Sequence, residues 1–182
     1  MTKDIEQISS YKGVVLGAIG MIVVVVASNI LVQYPINDWL TWGAFTYPVA
    51  FFVTDLTNRH LGPAKARQVV MVGFAIAVVL SIVFADVRIA VASGSAFLIA
   101  QMLDVSIFNW LRQGRWWRAP LVSSVLGSVV DTVLFFAIAF MGTGLPWITW
   151  AAGDLMVKLI VACAMLIPYK FAAGSQPLPN SA

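Results

Sequence analysis

Five charged side chains interrupt stretches of this chain that are otherwise apolar enough to lie in lipid. They are Asp55, Asp104, Asp131, Asp154 and Lys158. A charge at bilayer depth costs about 2.5–3.5 kcal/mol even on a permissive insertion scale. We therefore expect these groups to turn inward, towards each other, a polar substrate or an ion. The pattern favours a transporter over a passive membrane anchor.

Helical spacing groups the polar residues into faces. Gln101 and Asp104 are three residues apart and share one face of a helix. Asp154 and Lys158 are four apart, a spacing that allows an ion pair within one helix and a purely structural role. Asp55 lies near a predicted helix end, where it either braces Arg59 and the following loop or takes part in function.

A second polar face follows i, i+4, i+7 spacing through Ser124, Ser128 and Asp131. The two serines suit either close helix packing or ligand contact. Asp104 and Asp131 have no basic residue close to them on their own helices. Each therefore needs a partner from another helix, a proton or a substrate, which makes them the stronger functional candidates.

Composition places the chain among multi-span membrane proteins. It has 182 residues, of which 60% are hydrophobic and 10% charged, whereas a soluble domain carries about 25% charged residues. We expect one membrane domain over residues 1–171 and a disordered tail over 172–182. The net charge of +3 comes from short polar loops and does not indicate nucleic-acid binding. Cys163 cannot form an intrachain disulfide, and His60 has no neighbouring ligand for a metal.

About 20 apolar residues span a bilayer as a helix, and six segments of this chain qualify. The fold class predicted is an all-α membrane protein with six transmembrane helices, at residues 14–34, 41–58, 66–84, 88–111, 120–141 and 147–169. Pro48 lies inside the second segment. The first segment belongs to an uncharged run that is too long for a signal-peptide core, so we expect it to be retained.

Lysine and arginine in short loops set the orientation of such a protein. The basic residues expected on one side are Lys3, Lys12, Arg59, Lys65, Arg67, Arg112, Arg115, Arg118 and Lys170. Arg88 alone falls on the other side. Both termini are therefore predicted to be cytoplasmic. Gly13, Gly17 and Gly20 form a small-residue face on the first helix, suited to contact either within the chain or with a partner protein.

Four motifs then resemble one known family. The stretch YPVAFFVTDLTNRHLGPAKARQVV, starting at Tyr47, resembles the second-helix signature of the queuosine precursor transporters, a vitamin-uptake group of bacterial inner-membrane proteins. ASGSAFLIAQMLDVSIFNWLR and SSVLGSVVDTVLFF follow in the family's order. The last match is a lysine and then a proline at the end of the final helix, Lys158 and Pro168. Together the motifs cover most of residues 47–169.

The chain departs from the family at one position. Members commonly have a glutamate four residues after the aspartate of the second helix. Here that position is Arg59, followed by His60. At that position this protein therefore lacks the acid that could handle substrate or ions in other members.

The resemblance implies import of a deazapurine, 7-cyano- or 7-aminomethyl-7-deazaguanine, for queuosine salvage in tRNA. A guanine-like ring offers adjacent N–H donors, which a carboxylate accepts, and a carbonyl, which Gln or Lys can serve. Flat ligands also favour an aromatic face. The substrate-binding residues expected on this basis are Asp131, Gln101, Asp104, Lys158, Asp55, Ser124 and Ser128.

Three classes of function remain open at this point. The first is a solitary importer, with a homodimer plausible. The second is a substrate-binding subunit that needs a separate ATP-driven module, since the chain has no GxxxxGK[ST] motif of its own. The third is a membrane enzyme, which would need a nucleophile–base pair or a metal cluster that the sequence does not offer. No cofactor is expected.

Overall fold

The computed structural model describes residues 2–84 and 86–173, which are mostly helical. The elements are α1 Thr2–Leu31, β1 Pro35–Asn37, β2 Leu40–Thr41, α2 Gly43–Thr46, α3 Val49–Phe84, α4 Val87–Leu111, α5 Arg118–Phe140 and α6 Trp147–Ala173. Among the described residues, five helical stretches are long and apolar enough to cross a membrane, and α2 with α3 counts as one of them. Helix α6 continues to Ala173, and the rest of the expected tail, 174–182, lies outside the described residues.

The second predicted helix begins later than expected. Residues 40–41 are a strand, α2 is a single turn, and Pro48 stands between α2 and α3 rather than inside a helix. Proline has no backbone N–H to bond to the preceding turn, and its ring collides with that turn. The long helix therefore starts at Val49, and Tyr47 is held just before it.

Glycines of α1 allow α3 to approach closely. Gly17 is the clearest case, because a Cβ atom there would lie 3.2 Å from both Thr57 Oγ1 and Val69. Gly13 and Gly20 face α3 in the same way. The small-residue face predicted on the first helix is thus used for packing within the chain.

Helix α3 is broken at Gly62, whose φ of 82° and ψ of 171° are not helical. Glycine adopts this conformation readily, whereas a side chain would strain it. Thr57 and Val69 lie on either side of the break, and both lie beside Gly17, where an added Cβ atom would be 3.2 Å from each. In a continuous helix, residues 12 apart are separated by about 18 Å along the axis. The two halves of α3 therefore fold back on each other, with Pro63 opening the second half.

Loop and helix ends rich in basic residues gather at one end of the bundle, called here the basic end. The His60 ring is 2.9 Å from the carbonyl of Ala172, and Arg112 donates to the carbonyl of Asn58. At the opposite end, Arg88 donates to the carbonyls of Ile138 and Met141. Helices α1 and α5 run away from the basic end, and α6 returns to it.

The strands β1 and β2 form a small antiparallel hairpin at the opposite end. Asn37 Oδ1 accepts from the backbone N–H groups of Trp39 and Leu40, which closes the turn. Thr149 of α6 donates to the carbonyl of Asp38, 2.7 Å away. The hairpin therefore fastens the segment before Tyr47 to the first turn of α6.

Apolar and polar side chains are arranged as in a protein surrounded by lipid. Large apolar residues such as Val23, Val83, Val133 and Ile160 are exposed on the outside of the helices. The interior contains aromatic side chains together with many polar ones. The four aspartates and the lysine singled out in the sequence are all buried.

Candidate functional site

Lys158, in the middle of α6, is the centre of a buried ionic cluster. Its Nζ atom lies 2.8 Å from Asp131 Oδ2 and 2.5 Å from Asp154 Oδ2. It also donates to Thr132 Oγ1 at 3.0 Å. An ammonium group has three N–H donors, so each donor of Lys158 has an acceptor. The predicted Asp154–Lys158 pair is confirmed, and Asp131 finds its partner on another helix.

Tyr47 joins this cluster from the turn just before α3. Its hydroxyl donates to Asp131 Oδ1 at 2.7 Å, and the Lys158 ammonium lies 4.8 Å from the centre of its ring. A cation over an aromatic face is attracted by the electrons of the ring. Thr132 completes the cluster by donating to Asp154 at 2.9 Å. We call these five residues the Lys158 cluster; its two carboxylates and one ammonium give it a formal charge of −1.

A second polar group lies nearer the basic end, between α3, α4 and α5. Asp55 accepts from Ser123 at 3.3 Å and from Ser124 at 3.1 Å. Asp104 of α4 is close enough to Asp55 for their charges to interact directly. Neither carboxyl oxygen of Asp104 has a hydrogen-bond partner among the described residues. Two adjacent buried carboxylates repel each other, so a proton or a ligand donor would stabilise the pair.

Other buried polar atoms on the inner face of α4 and its neighbour α3 lack a partner within the described residues. Gln101 accepts from Thr54 at 2.6 Å through Oε1, but its Nε2 group donates to nothing. Ser93 Oγ and Asn58 Oδ1 are likewise unpartnered. Each such group costs about 1–3 kcal/mol. They are the donors and acceptors available to a polar ligand.

Asp55, Ser124, Ser128 and Lys158 line one pocket between α3, α5 and α6, called here the inner pocket. Its remaining walls are mostly apolar and aromatic, including Phe51, Phe52 and Tyr169. The free volume is about 20 Å³, which is room for about one water molecule. A ring-sized molecule can enter only if the helices around the pocket separate.

Arg112 closes the basic end beneath α4. It is buried, donates to the Asn58 carbonyl at 3.4 Å, and donates to Asn109 at 3.3 Å. Burial lowers the pKa of its guanidinium below the usual value, and the positive charge of Arg59 lowers it further. An arginine still stays protonated at neutral pH, so this end keeps a fixed positive charge.

The predicted site residues therefore fall into three places. Asp131 and Lys158 are directly paired, and Asp55, Ser124 and Ser128 share the inner pocket with Lys158. Asp104 lies behind Asp55, and Gln101 bonds to Thr54; neither lines the inner pocket. The part of the chain that the structure describes holds no group of three or more residues suited to a metal ion.

Tyr47, Thr132 and Thr54 were not among the predicted site residues, although each bonds to a member of the set. Tyr47 and Thr132 lie within the family-like motifs, so their identity was visible in the sequence. Their roles were not, because a phenol before a proline and a threonine beside an aspartate are also ordinary helix residues. The structure identifies these three residues because their polar groups are buried together with the charged side chains.

Comparison with known proteins places the chain in a family. A protein-family sequence model described as "Putative vitamin uptake transporter" matches residues 41–87 and 79–172. A protein of Escherichia coli (strain K12) named queuosine precursor transporter is 33% identical over 192 residues, covering 90% of this chain and 87% of the relative. A protein of Haemophilus influenzae named probable queuosine precursor transporter is 34% identical, covering 81% of this chain and 80% of the relative.

A more distant relative of Bacillus subtilis (strain 168), also named probable queuosine precursor transporter, is 28% identical over 77% of this chain. No solved structure matches the chain. The apolar helices, the buried ionic cluster and these matches agree. The chain belongs to the vitamin uptake transporter family, and is a multi-pass transporter of the bacterial inner membrane.

Proposed function

We propose that this protein imports queuosine precursors, 7-cyano-7-deazaguanine and 7-aminomethyl-7-deazaguanine, for salvage into tRNA. The observation that carries the proposal is the match to relatives of that name over 81–90% of the chain. The polar atoms without partners are of the right kind for such a ligand. Carboxylates accept from the N–H groups of a guanine-like edge, and an amide N–H donates to its carbonyl.

The proposed binding surface is the inner pocket together with the polar face behind it. Asp55, Ser124 and Ser128 would contact the ring edge, while Phe51 and Tyr169 offer flat apolar walls. Asp104 and the free Nε2 group of Gln101 would be reached as the pocket widens. Asp131 and Lys158 bound the far side, where Lys158 would exchange one of its present acceptors for the ring carbonyl.

The proposed topology has six crossings with both termini in the cytoplasm. A continuous α3 of 36 residues would be about 54 Å long, whereas the hydrocarbon core is about 30 Å thick. The break at Gly62 and the return of the chain beside α1 support two crossings within α3. The basic residues clustered at one end support a cytoplasmic placement of that end.

We favour an importer that works without a dedicated ATPase. Gly13, Gly17 and Gly20, which could have served contact with a partner protein such as an ATPase subunit, face α3 within the chain. A homodimer stays a prediction.

The test is a rescue assay in a bacterium that neither synthesises deazaguanine precursors nor has an importer of its own. Expressing this chain with a low external concentration of precursor should restore queuosine in tRNA. Asp131→Asn should abolish the rescue, because it removes the charge that Lys158 and Tyr47 hold in place. Ser106→Ala, an exposed position on α4, is the matched control and should rescue fully. Absence of queuosine with the wild-type protein present in the membrane would contradict the proposal.

A further inference from the structure

A second pocket lies on the other side of the Lys158 cluster, and is called here the outer pocket. It is lined by residues nearer the opposite end of the bundle, including Asn29, Val32, Ser93 and Phe135. Its free volume is about 20 Å³, the same as that of the inner pocket. Among the residues that line the two pockets, Lys158 is the one they share.

The order of residues along the helices places the two pockets in series across the bundle. On α5, Ser128 lines the inner pocket, and Asp131 and Phe135, farther from the basic end, line the outer one. On α6 the order is reversed, with Asp154 in the outer pocket and Ala162 in the inner one. Lys158 lies between them, so its cluster separates the two spaces.

The contacts of the cluster make it a closed barrier. Helix α6 is joined to α5 through Asp131 and Thr132, and the segment before α3 is joined to Asp131 through Tyr47. Breaking the Lys158 contacts would remove the ionic closure between the two pockets, while Thr149 would still hold the first turn of α6 to the hairpin. A passage between the two pockets would then open through the space that the ammonium group occupies.

The outer pocket also carries a free polar group. Ser93 is 2% exposed, lines this pocket, and its Oγ has no hydrogen-bond partner among the described residues. Tyr47 and Phe135 provide aromatic walls. Once the helices around it separate, as the inner pocket of equal free volume also requires, an unpartnered hydroxyl beside aromatic walls suits the same class of molecule, a small polar heterocycle.

We propose that the outer pocket is a second binding site for the transported heterocycle, reached from outside the cell, and that the Lys158 cluster is the barrier between it and the inner pocket. The identity of the heterocycle rests on the proposed function. The barrier does not, because its position follows from the pockets and the cluster. The two parts are therefore tested by different measurements.

The barrier is tested by thiol labelling in a Cys163→Ala background, so that each introduced cysteine is the only one in the chain. Val32→Cys reports on the outer pocket and Ala162→Cys on the inner one. A membrane-impermeant methanethiosulfonate added to intact spheroplasts should label Val32→Cys and leave Ala162→Cys unlabelled. Inverted vesicles should show the reverse preference.

Opening the barrier should expose the inner reporter from outside. Lys158→Met combined with Asp154→Asn keeps the formal charge of the cluster at −1, because one carboxylate and the ammonium are removed together. In this background Ala162→Cys should be labelled from outside at least tenfold faster. Tyr47→Ala is a second variant with the same expected result, and Lys170→Met, at the basic end, is the control that should change nothing. If a variant that reaches the membrane shows no change in the rate at which Ala162→Cys is labelled from outside, the barrier proposal is overturned.

The second site is tested by uptake kinetics with labelled 7-cyano-7-deazaguanine. Ser93→Ala should raise KM about threefold to tenfold with little change in kcat, which corresponds to one lost hydrogen bond. Ser95→Ala is the matched control, because Ser95 is exposed on the same helix and donates to its own backbone at Val91. Equal KM values for the two variants would overturn the site. Absence of uptake by the wild type would count against the proposed function, while the labelling result still decides the barrier.

Discussion

At the scale of single residues, the buried charges follow one rule, since each has a partner on another helix or faces another charge. Lys158 reaches Asp131 on α5 and Asp154 on its own helix. Removing one partner of such a group leaves an uncompensated charge in a dry interior, which costs about 3–5 kcal/mol. The hydroxyl of Tyr47 also stabilises the buried charge of Asp131, because it donates a hydrogen bond to Asp131 Oδ1.

Tyr47→Phe should therefore lower the stability of the fold by about 1–3 kcal/mol, since a buried carboxylate oxygen loses its donor while the ring stays in place. Thermal unfolding of the purified protein in detergent is the measurement. Tyr34→Phe is the control, because Tyr34 is exposed. Equal midpoints for the two variants would mean that the Tyr47 hydroxyl adds nothing to the cluster.

Asp104→Asn should act in the opposite direction on stability. It removes one of two adjacent carboxyl groups that repel each other, and neither oxygen of Asp104 loses a bond within the described residues. We expect a higher unfolding temperature together with reduced precursor uptake if Asp104 accepts from the substrate. Asp38→Asn, in the exposed hairpin turn, should alter neither quantity. A drop in stability would show that Asp104 holds a structural partner.

At the scale of elements, the sequence predicted which helix faces turn inward but not which faces meet. Spacing alone placed Gln101 with Asp104, and Ser124 with Ser128 and Asp131, and all five side chains are buried. The contact between Asp131 and Lys158 joins residues 27 apart on two helices. Helix pairing depends on the shapes of whole faces, for which a single sequence carries no signal. The free Nε2 group of Gln101 could not be anticipated for the same reason.

The break in α3 is an element whose position was predicted, as the gap between the second and third helices. Gly62→Ala should destabilise the fold by about 1–3 kcal/mol, because alanine strains at a φ of 82°. Gly20→Ala is the matched control, since its added Cβ would meet Val53 at an ordinary 3.7 Å. Comparison of the two unfolding midpoints in detergent decides the matter. A Gly62→Ala midpoint as high as that of Gly20→Ala would show that the backbone at residue 62 accommodates alanine without strain.

At the scale of the whole molecule, a polar interior is enclosed by an apolar exterior, as a transporter of the bacterial inner membrane requires. The short hairpin of β1 and β2 and the single turn of α2 were not predicted. They lie between Tyr34 and Tyr47, where glycine and two tryptophans obscure the helical pattern. The contact of the hairpin with α6 fixes Tyr47 beside Lys158. Elements that the sequence did not predict therefore position part of the site.

The proposed topology predicts the location of each loop. A fluorescent protein that matures only in the cytoplasm should be bright when fused after residue 182, because the basic end is expected inside. Alkaline phosphatase, active only outside, should be active when inserted after Gly142 between α5 and α6. Phosphatase activity at the C-terminus would contradict the six-crossing arrangement.

The excess negative charge of the Lys158 cluster has a consequence for selectivity. Nucleobases and their nucleotides share the same ring, and the nucleotides carry a phosphate group in addition. A phosphate group brought to this cluster would meet two carboxylates and one ammonium, whose formal charges sum to −1. Electrostatic repulsion in a medium of low dielectric constant is strong. The cluster would therefore disfavour the anionic nucleotides relative to the base, whether the base is neutral or carries a protonated aminomethyl group, without any contact to the sugar.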